Sequence, residues 1–253
     1  MAQNHLDKGD EVEIITCNGI LPICEVNPNK SITTCLRCIS RRNQGLALLS
    51  SKVKTISLQS FYKKENRIAA KFLQTKFNSL TELKSYKIGR FKIGAGVYSS
   101  ILDLAKNHEP NLTKYKGEIS DFILTSYLIY CTFYDYLKSS GSSRVYLFNG
   151  RHATGKPIIA ACNLKVVDFY TYEFHYYKDK YKLYKNTQPH DFLYELSKSN
   201  EYWSDPKVEQ KVKDKIGAEF YKRKNISEFL SRDILKLQQK TLLPKDWDEN
   251  RHN

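Results

Sequence analysis

The stretch Val145-Tyr-Leu-Phe-Asn-Gly-Arg-His152 decides the fold. Its first four residues are β-branched, aromatic or aliphatic, the composition of a short buried strand. Asn149-Gly-Arg151 follows as a turn, since Asn and Gly accept the left-handed backbone that a tight reversal needs. Ala153 to Asn163 then reads as a helix and Val166 to Tyr172 as the next strand. Strand, short turn, helix and strand in so few residues are what a parallel sheet requires. The predicted class is α/β, one Rossmann-like parallel sheet with flanking helices.

Upstream, Ile119 to Leu137 is apolar on most faces, which predicts a long central helix ended by Ser139-Ser-Gly-Ser-Ser143. Before it, residues 86–100 form a Gly-rich segment leading into a short helix at Ile101 to Ala105, and Ala70 to Leu83 has helical spacing at Phe72, Leu73, Phe77 and Leu80. Cys17 to Cys38 is loop-like, with Gly19, Pro22 and Pro28. Leu6-Asp-Lys-Gly9 resembles the last turn of a helix closed by glycine, and Glu11 to Thr16 has strand propensity. A Rossmann unit puts a strand before such a helix, and residues 1–5 leave no room for one. Either the fold starts unusually or that strand lies outside these residues.

Downstream the chain is helical and basic. Asp205-Pro206 suits an N-cap and first helical position, Val208, Val212, Ile216 and Phe220 recur every fourth residue, and a second helix is predicted over Ile226 to Gln238. The expectation is one domain over residues 1–253.

Hydrophobic residues make up 41% and aromatic residues 13% of the 253, a globular rather than disordered composition. The formal net charge of +14 attracts phosphates, whether of nucleic acid, nucleotide sugars or lipid headgroups. The start is polar and unlike a signal peptide, and the longest apolar run, Phe122 to Leu137, is short for a bilayer span and contains Asp135. These features predict a cytoplasmic protein, free or peripheral at the inner face of an anionic membrane. Six cysteines then read as reduced thiols or metal ligands.

Four of them, Cys17, Cys24, Cys35 and Cys38, have the spacing C-x6-C-x10-C-x2-C. Two residues between thiolates let both reach one tetrahedral ion, so a structural zinc clip on a loop poor in apolar residues is one reading. Four ordinary thiols are the other. Asn149, Gly150 and Arg151 sit where ligands bind in open α/β sheets, at the carboxyl end of a strand and the start of a helix, with Arg151 as a fork for phosphate or carboxylate. Glu173 and His175 lie just past the next strand. Glu173 and His152 are candidate bases and His175 a substrate anchor, against the plain alternative of polar strand ends. Gly94-Ala-Gly96 with Ser99 and Ser100 offers a phosphate cradle, although it lacks the lysine of a Walker loop. Tyrosines 170, 172, 176, 177, 181 and 184, interleaved with lysines, offer stacking surfaces or a solvated face.

A resemblance runs through these residues. Gly9-Asp-Glu-Val-Glu-Ile-Ile-Thr-Cys17 looks like the opening of glycosyltransferases with two Rossmann-like domains, the GT-B architecture. The cysteine loop, Ile93-Gly94 with Ser99-Ser100, Phe148-Asn-Gly-Arg151 with Lys156-Pro-Ile-Ile159, and Glu173 resemble bacterial capsular polysaccharide biosynthesis proteins of that kind, in order over about residues 6 to 225. The resemblance implies the N-terminal, acceptor-side half of a transferase that moves sugar from a nucleotide-sugar donor to a glycan or lipid-linked acceptor. Arg151 would bind phosphate or an acidic sugar, Glu173 or His152 would activate the acceptor hydroxyl, and zinc would be structural. The donor-binding C-terminal domain is missing from this reading, so the chain alone is expected to be inactive. The alternatives are a zinc-containing, basic nucleic-acid-binding protein, against which the basic residues are dispersed, and a non-catalytic transferase remnant.

Overall fold

The computed structural model describes residues 1–174, 181–189 and 191–225. They fall into two compact units, Met1–Asp191 and Phe192 onward.

In the first unit the elements run α1 (Ala2–Leu6), β1 (Glu13–Thr16), α2 (Ile32–Leu46), β2 (Lys54–Ser57), a 3-10 turn (Leu58–Phe61), α3 (Lys64–Ala70), α4 (Leu80–Ser85), α5 (Ile93–Ala105), α6 (Lys116–Ser140), β3 (Arg144–Phe148), α7 (Lys156–Lys165), β4 (Asp168–Phe174) and β5 (Tyr181–Lys185). Two sheets form. β1 pairs in parallel with β2, and β3 pairs in parallel with β4, which β5 joins antiparallel. The class is α/β with parallel βαβ units, as expected. The single Rossmann-like sheet is not seen among the described residues, because β1 and β3 are not paired.

Helix α6 is the spine. Phe122 and Ile123 on its first half pack with Ile93, Val97 and Ile101 of α5, while Phe133, Tyr136 and Leu137 on its second half pack with Leu147, Ile159 and Phe169. Its buried Thr125 donates to the Ile23 carbonyl at 2.9 Å and accepts from the Ile23 amide, fastening the loop after β1 to the core. Gly141, at φ +65°, closes the helix. Its position in the serine-rich stretch matches the predicted end.

Several expectations are corrected. Residues 86–100 are not all loop before a short helix, because α5 begins at Ile93 and includes Gly94 and Gly96. Cys17 to Cys38 is not wholly loop, since Ser31 caps α2 by accepting from the Thr34 amide and Cys35 and Cys38 lie on that helix. Most of the helix expected over Ala70 to Leu83 does not form: α3 ends at Ala70 and α4 begins only at Leu80, capped by Ser79. In both cases a serine cap sets where the helix begins.

In the second unit, α8 (Phe192–Ser204) and α9 (Gln210–Asn225) are joined by a turn. Asp205 does not cap a helix at Pro206; its carboxylate accepts from the Lys207 amide at 2.8 Å within that turn. Val208 therefore lies outside the helix. Lys213 instead ties the two helices, donating to the carbonyls of Trp203 and Asp205 at 2.7 and 2.9 Å. The helix predicted over Ile226 to Gln238 lies outside the described residues.

Candidate functional site

The β3–α7 turn is built on two left-handed residues, Asn149 at φ +55° and Gly150 at φ +81°. A β-carbon on Gly150 would stand 2.5 Å from Ile159 Cδ1, and one on Gly155 would stand 2.8 Å from the Gly150 backbone. The turn thus folds tightly on itself, and glycine is required at its tip.

Asn149 is buried, and its side chain organises the turn. Nδ2 donates to Glu173 Oε2 at 2.7 Å, and Oδ1 accepts from the Arg151 amide at 3.2 Å. The carboxyl ends of β3 and β4 are thereby joined through the two expected site residues. Arg151 is exposed, and its Nε donates to His152 Nε2 at 3.2 Å. A ring nitrogen that accepts carries no proton, which places that ring's hydrogen on Nδ1. Asn149, Gly150, Arg151, His152 and Glu173 are thus gathered at one edge. His175 lies outside the described residues.

Gly94, Ser99 and Ser100 do not join them as a phosphate cradle. Gly94 sits in the first turn of α5, where a β-carbon would fall 1.8 Å from the Leu83 carbonyl oxygen. Ser99 donates to the Ala95 carbonyl, and buried Ser100 donates to Glu25 Oε1 at 2.7 Å while accepting from the Ala153 amide at 2.9 Å. Gly94 serves helix packing, and both hydroxyls are spent on protein groups.

Three residues enter the site unannounced. Glu25 accepts from the Thr154 amide at 3.3 Å and its hydroxyl at 2.5 Å, so the N-terminal turn of α7 already holds a carboxylate. Its source is a Pro- and Asn-rich loop, where nothing in the sequence marks one acid. Lys156, the first residue of α7, is half-buried and donates to Gln188 Oε1 at 2.5 Å. Burial lowers its pKa, and the Lys92 charge lowers it further. Gln188 Nε2 is buried without a hydrogen-bond partner among the described residues, 3.5 Å from where a Gly150 β-carbon would stand. Lys156 lay within a quoted motif without a role, and Gln188 carried no sequence signal. Rings of Phe148, Tyr172, Phe174 and Tyr181 cluster at the same strand ends, with Phe148 and Phe174 exposed. Tyr176 and Tyr177 lie outside the described residues.

Two of the four cysteines, Cys24 and Cys35, meet Asn27. Cys24 bridges to Asn27, and Asn27 Nδ2 donates to Cys35 Sγ at 3.2 Å. Burial raises the Cys24 thiol pKa, opposed by backbone N–H bonds from Asn27 and Val26. Among the described residues no three His, Cys, Asp or Glu side chains converge as a metal-ligand set, so the thiols as arranged do not fit one tetrahedral ion. No helix among the described residues is long and apolar enough to cross a membrane.

Compared with protein-family models, curated proteins and solved structures, the chain matches none.

Proposed function

We propose that this chain is the acceptor-side domain of a GT-B-type glycosyltransferase of surface or capsular polysaccharide synthesis, binding an acidic or phosphorylated glycan or lipid-linked acceptor. The observation that carries the reading is the Asn149–Glu173 bond at 2.7 Å on the turn that also presents Arg151. A carboxylate held by an amide beside an exposed guanidinium can accept a proton from a sugar hydroxyl while the cation holds an anionic group of the same molecule.

The surroundings support a sugar ligand over a bare anion. Glu25 already occupies the α7 N-terminus, so an incoming anion turns to Arg151 and to Lys156, which Gln188 Oε1 holds in place. Exposed Phe148 and Phe174 offer the apolar faces on which a pyranose packs its C–H groups. Glu173 would be the base. His152 would orient Arg151 rather than act directly, since its Nε2 is already engaged. The nucleotide sugar would come to a second, donor-binding domain, and the basic surface suits a peripheral site on the inner, anionic face of a membrane.

The test is a transfer assay with a panel of nucleotide sugars and acidic oligosaccharide acceptors. The chain alone should bind acceptor and show no turnover; transfer by the chain alone would overturn the half-enzyme reading. A structural zinc at Cys17, Cys24, Cys35 and Cys38 belongs to the same proposal and requires those thiols to draw together from their present partners. Elemental analysis of the purified protein should give about one zinc per chain, and a folded, metal-free protein would remove it.

A further inference from the structure

Lys156 opens α7 behind the Asn149–Gly150 turn, and its amine is a charge without a counter-charge. The side chain is half-buried, and its Cβ lies 3.0 Å from where a β-carbon on Gly96 would stand, so α5 packs over its stem. An ammonium carries three donors. One goes to Gln188 Oε1 at 2.5 Å, and the other two meet no acceptor among the described residues. Gln188 is neutral, and among the described residues no carboxylate forms an ion pair with Lys156.

The acids bonded to this turn and to α7 are committed elsewhere. Glu25 accepts from Ser100 Oγ and from the Thr154 amide and hydroxyl, and Glu173 accepts from Asn149 Nδ2. The charge that does act on Lys156 is a second cation, Lys92, the residue before α5. An ammonium withdrawn from water beside a like charge is costly unless an anion joins it or its proton leaves. Burial first, and the Lys92 charge after it, accordingly hold the Lys156 pKa below its ordinary value. An oxyanion between the two amines would supply both the missing acceptors and the missing counter-charge.

We propose that Lys156 and Lys92 form an oxyanion subsite, separate from Arg151, for a phosphate or carboxylate group of the ligand. The separation follows from α5. Lys156 stands over Gly96, whereas the Arg151 charge acts on Asp103, seven residues further along the helix. That is about 10 Å of helix, too far for one anionic group to serve both cations. A ligand engaging both therefore carries two anionic groups, on neighbouring units rather than on one. The identity of that ligand as the acceptor rests on the proposed function, but the subsite itself does not.

The probes are inorganic phosphate and glucuronate, each compared with sodium chloride at equal ionic strength. The readout is the ε-methylene NMR signal of Lys156 in the full chain with 13C-labelled lysine, assigned by its loss in Lys156→Arg. At least one probe should shift this signal saturably and raise its titration midpoint by about one unit or more, the effect of an opposite charge close by. The probe that binds more tightly identifies the group as phosphate or carboxylate. Lys92→Gln should weaken binding by about threefold or more, and should raise the midpoint of the empty site because a like charge is gone. Arg151→Ala should keep the Lys156 response, so failure of the acceptor reading at Arg151 and failure of this subsite are told apart. A Lys156 signal that moves no further with either probe than with chloride would overturn the proposal. So would titration alongside the exposed lysines, unchanged affinity in Lys92→Gln, or loss of the response in Arg151→Ala.

Discussion

Two glycine-bearing segments looked alike in sequence and do opposite work. Gly94 and Gly96 lie inside α5 with ordinary helical backbone, and each is there because another chain segment passes too close for a side chain. A β-carbon on Gly94 would fall 1.8 Å from the Leu83 carbonyl oxygen, and one on Gly96 would stand 3.0 Å from Lys156 Cβ. Gly150 is there because the turn demands φ +81°. The first pair lets helices touch, and the second bends a chain so that its polar groups reach an edge. Proximity of glycine to serine or arginine does not separate these cases; the hydrogen bonds of the neighbours do.

Alanine substitutions sharpen the contrast. Gly94→Ala should have the largest effect, a loss of more than about 4 kcal/mol, because the clash is with backbone and cannot be relieved by a side-chain rotation. Urea denaturation would show a chain that is unfolded or nearly so; a stable Gly94→Ala protein would mean α5 and Leu83 are not packed as described. Gly150→Ala should cost about 1–3 kcal/mol, since the left-handed backbone is strained while the neighbouring Ile159 Cδ1 can move. An unchanged midpoint would show that the turn does not hold its left-handed form. Arg151→Ala should alter stability by less than about 0.5 kcal/mol, being exposed and bonded only at the turn surface. A large loss there would make Arg151 a structural residue and undo its proposed role.

The legible parts of the fold were those where one local signal acted alone. β3 covers the apolar run Val145 to Phe148 with Arg144 before it, and α6 closes at a glycine, because composition and capping are plain at those places. The first two turns of α5 were missed, though its end at Ala105 was placed, because glycine normally opposes a helix by about 1 kcal/mol, and tertiary packing against Leu83 and α7 overrides that cost. α2 was missed because Gly19, Pro22 and Pro28 suggested a loop, while Ser31 capped a helix in which Cys35 and Cys38 reside. At the site, Asn149, Arg151 and Glu173 were legible from their places at strand ends. Glu25, Lys156 and Gln188 were not, because their meeting depends on segments more than a hundred residues apart in one case and on a turn after β5 in another.

The most direct measurement of the central claim is calorimetric titration of the wild-type chain and Arg151→Ala with a uronic-acid oligosaccharide and, separately, with its neutral counterpart. Wild type should bind the acidic sugar, and Arg151→Ala should lose at least about tenfold in affinity, the worth of one charge-assisted hydrogen bond. Both proteins should bind the neutral sugar equally weakly. Equal affinity of the two proteins for the acidic sugar would contradict the account and return the Asn149–Arg151 turn to a plain connection between strand and helix.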